Sequence, residues 1–307
     1  MATWTRASAT PEAALAELGL PEHASHWRLA LERFWAHRLA VASLVILLVL
    51  IVLVLLGPVI SPYSPEHTNL DLRYEAPSRA HPMGTDSLGR DLLTRIMFGG
   101  RVSLTIGVLA MTVAITLGVV IGGLAGFYGG VPDAVLMRFV DMMLSFPRLF
   151  LLILFSVFFG GHFLTVILLL GALSWMGVSR IIRASFLSLK ERQFVEAARA
   201  LAVSNRAIML RHLLPNALAP IIVAATLGIA TAIIAESTLS FLGLGIQPPT
   251  PSWGNMLKDA QTDMVTAPWT AVFPGLAIFV TVVAINFIGD GLRDALDPQH
   301  VNRSVRR

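Results

Sequence analysis

Apolar residues run along the chain in six stretches: Leu39–Ile60, Val102–Phe127, Ala134–Phe158, Phe163–Ile182, Leu218–Ser240 and Ala271–Gly291. A helix rising 1.5 Å per residue needs about 20 apolar residues to cross a hydrocarbon core of about 30 Å. The pattern therefore predicts an all-α integral membrane protein with six transmembrane helices. It divides the chain into a leader (1–38), an anchor helix (39–60), a loop segment (61–101), a core of five spans (102–291) and a tail (292–307). The first stretch is too long for the apolar part of a secretion signal and lacks a small-residue cleavage site, so it is expected to remain as an anchor.

Polar positions orient the spans. Basic residues gather in the leader (Arg6, Arg28, Arg33, Arg38), between spans four and five (among them Lys190, Arg192, Arg199, Arg206 and Arg211) and in the tail (Arg293, Arg303, Arg306, Arg307). Because positive loops stay inside, both termini are expected in the cytoplasm. The 61–101 segment, on the opposite side, carries arginines too, but acidic residues such as Asp86 and Asp91 offset them. It opens with prolines and closes with Leu88, Leu92, Leu93, Ile96 and Met97 at helical spacing. That reads as a loop followed by an interfacial helix, with the Thr85/Asp86 pair as its N-cap signal.

Composition narrows the class. Hydrophobic residues make up 55% of the chain and charged ones 14%, with a mean hydropathy of +0.71, against about 25% charged in soluble domains. This excludes a soluble, disordered, collagen-like or nucleic-acid-binding chain; the partner implied is a lipid membrane. The net charge of +4 reports topology rather than an anionic ligand. Without cysteine there is no disulfide, thiolate nucleophile or Cys-ligated metal. The two lysines, Lys190 and Lys258, each follow a leucine, so no GxxxxGK[ST] phosphate loop exists. HExxH and GxSxG signatures are also missing, and the FIGDG run at Phe287–Gly291 has phenylalanine where an intramembrane aspartyl protease signature places glycine. An ion-gradient transporter would show two related halves, and the order of spans here does not repeat.

Small residues mark packing faces. Ala110, Ala114, Gly118, Gly122 and Gly126 recur every four positions in span two, and Ala224, Gly228, Ala232 and Glu236 do so in span five. Such ridges let backbones approach closely, for bundle packing or for helix sliding in a transport cycle. Charged groups within spans are costly and usually functional. Glu236, with Ser237 beside it, reads either as a pathway or gating group or as a partner for the turn that follows. Asn286 is a pathway candidate or interhelical glue. Arg138 and Asp141, three apart, suggest a local ion pair; Arg148 is placed to snorkel, and Asp290 to mark a membrane boundary. Trp253 and Gly254 read as a docking point for a binding protein or as an interfacial anchor. The histidines, including His23 and His26, lack the supporting ligands of a metal site.

The polar segment 190–215 is the most informative. Phe194, Ala197, Ala198 and Leu201 form an apolar edge on one short helix, Ser204 can cap a second, and Pro215 marks the boundary with span five. The order Glu196-Ala197-Ala198, Ala202, His212, Leu214-Pro215 resembles the ATPase-coupling motif of ABC-importer permeases. The runs HPMGTDSLGRDLLTRIMFGGRVSL, GFYGGVPDAVLMRFVDMMLSFP and ESTLSFLGLGIQPPTPSWGNML extend the likeness over nearly the whole chain after the leader. They resemble the dipeptide, oligopeptide and nickel importer family, specifically its inner-membrane permease with one anchor span and an extracytoplasmic loop. The resemblance implies no catalytic site or cofactor in this chain. It also implies pairing with a second permease, two cytoplasmic ATPases that hold ATP and magnesium, an extracytoplasmic binding protein, and peptide or nickel cargo. On that analogy Glu196 contacts the ATPase, while Ala197 and Ala198 permit close docking. Ala202 departs from the family's usual glycine, and His212 from its usual aliphatic residue.

Overall fold

The structure, a computed structural model, describes residues 26–297; Arg6, His23, Arg303, Arg306 and Arg307 lie outside the described residues. Among the described residues the regular secondary structure is helical, apart from an isolated bridge between Thr85 and Asp91 in the loop segment that follows Ile60. Four helices are long and apolar enough to cross a membrane, and two bent helix pairs bring the number of spans to as many as six.

A short helix α1 (His26–Ala36) leads into α2 (Arg38–Ile60), whose N-cap His37 accepts a hydrogen bond from the Ala40 amide. Helix α3 (Leu92–Tyr128) has 37 residues and is about 55 Å long. It merges the expected interfacial helix with the second span, which corrects the reading above. The reason lies in its start. Asp86 is occupied by a turn, accepting from the Leu88 and Arg90 amides and from Arg90 Nε at 2.6 Å, so Asp91 becomes the cap and accepts from the Thr94 amide at 2.7 Å. Leu92 and Ile96 then pack into a buried cluster with Val54, Trp253 and Met256 instead of facing lipid.

The third and fourth apolar stretches form bent helix pairs rather than straight helices. Helices α4 (Gly130–Leu144) and α5 (Arg148–Phe159) meet at 81°, and α6 (Phe163–Ala172) and α7 (Trp175–Leu189) at 41°. Pro147 caps α5 and forces Phe146 out of helical geometry, which breaks the first pair. At the second break Ser174 Oγ donates to the Leu170 carbonyl and accepts from Arg148 Nη2 at 2.7 Å. Arg148 is therefore folded inward onto the break, not extended toward the boundary. A short helix α8 (Gln193–Ala200) and a turn of helix α9 (Asn205–Ala207) precede a π-helical stretch Ile208–Leu213 and α10 (Leu214–Asn216). Helix α11 (Leu218–Phe241), short α12 (Trp253–Asp259) and α13 (Trp269–Leu296) complete the chain.

Helix α3 is the central column, paired most extensively with α7 and also with α11, α6 and α2. The glycine ridge supplies that closeness. A Cβ at Gly118 would meet the Val178 side chain at 2.6 Å, at Gly122 the Ser179 carbonyl oxygen at 2.2 Å, and at Gly126 the Phe186 Cβ at 2.7 Å. The second ridge works similarly, with a Cβ at Gly228 falling 2.2 Å from Met111 Sδ of α3. The bundle thus has a loop face, formed by residues 61–91 and α12, and a basic face, formed by α1 and the 190–217 segment.

Candidate functional site

On the basic face, α8 is rooted by Val195 and Ala198, three residues apart, both buried in a cluster with Phe127, Ile208 and Leu213. Their burial turns Phe194, Glu196, Ala197 and Leu201 outward, with Leu201 79% exposed. An apolar edge with one carboxylate is thereby presented to the surroundings. Arg199 lies with Cζ 6.0 Å from the centre of the Phe127 ring, a cation–π contact tying α8 to the end of α3.

The end of α8 explains the residue that departs from the family pattern. The Val203 amide donates to the Ala198 carbonyl at 3.1 Å and the Ala202 amide to Arg199 at 2.9 Å, the paired bonds of a Schellman cap. Its left-handed position is Ala202, with φ of +55°, where a Cβ is strained. Ala202 is exposed, so its methyl supplies no packing in return. Ala202→Gly is expected to stabilise the protein. Relief of about 1–2 kcal/mol of left-handed strain outweighs the roughly 0.4–1 kcal/mol that glycine's freedom in the unfolded chain costs. A thermal midpoint in detergent that stays level or falls would contradict this.

After the cap, Ser204 accepts from the Ala207 amide at 3.4 Å and starts the second short helix. His212 is half-buried and its carbonyl accepts from Asn216 Nδ2 at 2.7 Å; Leu214 is half-buried and Pro215 exposed. Pro215 cannot donate to the helical ladder, and the π-helical widening sits just before it. Two Asp–Arg contacts join α4 to α7 near this face. Asp133 takes Arg183 through both oxygens at 2.5 and 2.6 Å, and Asp141 takes Arg180 at 2.5 Å. The expected Arg138–Asp141 pair is thus replaced, because the neighbouring helix offers Asp141 a closer guanidinium.

At the loop face, Glu236 is completely buried. Its Oε1 accepts from Ser240 at 2.7 Å, and its Oε2 accepts from Ser103 at 3.0 Å and Ser237 at 3.5 Å. The same serines accept backbone amides in turn, Ser240 from Ile246 and Ser103 from Trp253. One carboxylate therefore stitches α11, α3, the following loop and α12 together, enclosed from any open path. Trp253 is also completely buried, donating from Nε1 to the Ile96 carbonyl at 3.0 Å, and a Cβ at Gly254 would strike Ser237 Cα at 2.6 Å. Neither residue presents a surface to a partner, which corrects the docking expectation; between α11 and α12 the exposed positions are Leu242 and 247–250. Asn286 is exposed on α13, as are Phe279 and Phe287.

A charge cluster locks the loop face; its Asp86–Arg90 pair is four residues apart, but nothing in the sequence spacing links it to Asp259. Arg90 and Arg95 each lie between Asp86 and Asp259, at 2.6 to 3.6 Å. Burial pushes the Asp259 carboxyl above its ordinary range, with Arg95 and Arg90 opposing the shift. His81 Nδ1 lies 2.9 Å from Asp91 Oδ2, and Trp269 Nε1 donates to the Thr85 carbonyl at 3.1 Å. The 61–91 segment is thereby bound to α12 and α13. Among the described residues no group of three or more His, Asp or Glu side chains is arranged to hold a metal ion.

Comparison with known proteins gives a consistent picture. A family model described as binding-protein-dependent transport system inner membrane component matches residues 118–300, and one described as the N-terminal TM domain of oligopeptide transport permease C matches residues 25–77. The chain is 42% identical to an oligopeptide transport system permease protein of Haemophilus influenzae over 91% of its own length and 90% of that protein's. It is 41% identical to a dipeptide transport system permease protein of Alkalihalophilus pseudofirmus over 90% of each. Among solved structures, an inward-facing methionine ABC transporter matches with a TM-score of 0.51 and 21% identity, over 67% of this chain and 96% of that one.

Proposed function

The chain belongs to the family of binding-protein-dependent transport system inner membrane components, and from that premise we propose that it forms half of the membrane pathway of an ATP-driven importer of di- and oligopeptides. It is a multi-pass membrane protein and a transport subunit rather than an enzyme. In this reading a second, homologous permease supplies the other half, two ATPase chains bind ATP and magnesium on the basic face, and a binding protein delivers cargo to the loop face. Both termini then lie in the cytoplasm and the chain sits in the cell inner membrane.

The observation that carries the reading is the exposed edge of α8. Val195 and Ala198 anchor the helix in the bundle, while Glu196, Ala197 and Leu201 project from it. A rooted helix with a small, apolar and singly charged crest can be gripped by a soluble subunit and can pass its displacement to the spans. His212, Leu214 and Pro215 support it from the second helix and join it to α11. On the pathway side, Asn286 is the candidate open to a passing solute, whereas Glu236 and Ser237 hold the loop-face end of α11 in place. Peptide cargo rests on what the relatives are named for.

Purification of the tagged chain from its own cells in mild detergent tests this directly. A second permease and ATPase chains bearing phosphate loops are expected to co-purify, with ATPase activity in the eluate. Recovery of the chain alone, with no ATPase captured by crosslinking in the native membrane, would overturn the proposal.

A further inference from the structure

A groove of about 390 Å³ opens between α2, α3, α11 and α13. Its walls are aliphatic, among them Ile51 of α2, Val108 and Leu109 of α3, Ile229 of α11 and Ile285 of α13. Leu55, Thr105, Val108 and Leu109 are exposed, so the groove is open along one side. One charged side chain, Arg101, borders it.

The setting of Arg101 is unusual. Position 58 is a proline, which has no N–H to return to the Val54 carbonyl. Arg101 Nε donates to that carbonyl at 2.9 Å, and Nη2 donates to the Leu55 carbonyl. The guanidinium is thus fixed by neutral partners, two carbonyls and the Phe98 ring 5.5 Å from its Cζ, and among the described residues no carboxylate pairs with it and Nη1 bonds to no side chain or carbonyl. Its height is defined as well. The apolar run of α2 ends at Ile60, five residues past Leu55, and Arg101 directly precedes the apolar stretch 102–127 of α3, so the cation stands near the loop-face boundary of the hydrocarbon core. From Arg101 to Leu109 the groove descends about 12 Å along α3 toward the middle of the bilayer.

The geometry points to a bound phospholipid, with its phosphate on Arg101 Nη1 and an acyl chain in the groove. A cation fixed at headgroup height above an aliphatic trough matches the order of charge and hydrocarbon in a lipid. Water would gain few partners along those walls, where the polar side chains are Arg101, Thr105 and Thr226. A helix of another chain could fill the trough but would need an anion at that height to satisfy Arg101, whereas every phospholipid carries one. Guanidinium–phosphate hydrogen bonds are among the strong ones.

A photoreactive benzoylphenylalanine placed at Thr105 tests the site in the complex purified from cells. Irradiation after washing in mild detergent is expected to give a phospholipid adduct at Thr105. None is expected with the probe at Val52, which is exposed on α2 outside the groove and touches only lipid that washes away. Arg101→Gln should lower the Thr105 adduct at least fivefold. Val108→Trp, which fills the trough and leaves Arg101 intact, should do the same and covers the case in which loss of Arg101 harms folding. A polypeptide adduct at Thr105, equal lipid labelling at Thr105 and Val52, or an adduct indifferent to both variants would overturn the assignment.

Discussion

Gly122→Leu is expected to remove folded protein from the membrane almost entirely. The Cβ of any side chain at this position would lie 2.2 Å from the Ser179 carbonyl oxygen and 2.9 Å from the Ser179 Cα. The obstacle is backbone, which has no other rotamer to adopt, so relief requires α3 and α7 to separate. That pairing is the most extensive in the bundle, and its neighbouring contacts at Gly118 and Gly126, at 2.6 and 2.7 Å, are also too close for a Cβ. Parting the helices forfeits van der Waals contact along the whole ridge, and between helices in lipid that contact is a principal attraction. Overpacking a core typically costs about 1–3 kcal/mol where side chains can yield; here the cost should exceed that range. Gly177→Leu is the control, because a Cβ at Gly177 meets nothing within 4 Å. Fluorescence-detected gel filtration of tagged variants should show Gly122→Leu aggregated or degraded and Gly177→Leu close to wild type. A monodisperse Gly122→Leu peak of normal height would refute the packing argument.

That ridge was legible in the sequence because a four-residue spacing of small side chains places them on one helical face whatever the partner helix is. The apolar stretches were legible for the same kind of reason, since length and hydropathy are local properties. Features that depend on a second segment were not. The 81° break between α4 and α5 needed Pro147 to be read as a break, although its apolar flanks made the stretch look continuous. Asp141 had Arg138 close by in sequence, and nothing local revealed that Arg180, 39 residues on, would take it. The Arg90, Arg95, Asp86 and Asp259 cluster joins positions more than 160 residues apart. Trp253 illustrates the same limit: an aromatic beside a proline-rich loop suggests a surface, and only the fold shows its indole donating to Ile96 inside the bundle. In the 190–215 segment the motif drew attention to Glu196 and Ala202, but the left-handed φ of Ala202 and the outward turn of Glu196 show only in the fold.

Glu196→Lys is expected to leave folding intact and to abolish productive transport. The side chain is exposed and makes no hydrogen bond or ion pair with a described residue, while the buried anchors of α8, Val195 and Ala198, are untouched. Loss of an acidic residue from the first turn of α8 costs about 0.3–1 kcal/mol through the helix dipole, too little to unfold the protein. At an interface the sign change acts differently. A charge set against a complementary site becomes a like-charge contact that costs several kcal/mol, and each 1.4 kcal/mol is about a tenfold change in the binding constant. Uptake of a labelled peptide should therefore fall at least tenfold at wild-type abundance, and ATP hydrolysis in the purified complex should no longer respond to the loaded binding protein. Glu196→Gln, which removes the charge without reversing it, should fall between the two. Two results would separate the possible failures. Normal uptake by Glu196→Lys would remove Glu196 from the coupling contact even if the ATPases still co-purified, whereas loss of the protein itself would mean that α8 holds the fold together rather than transmitting force to it.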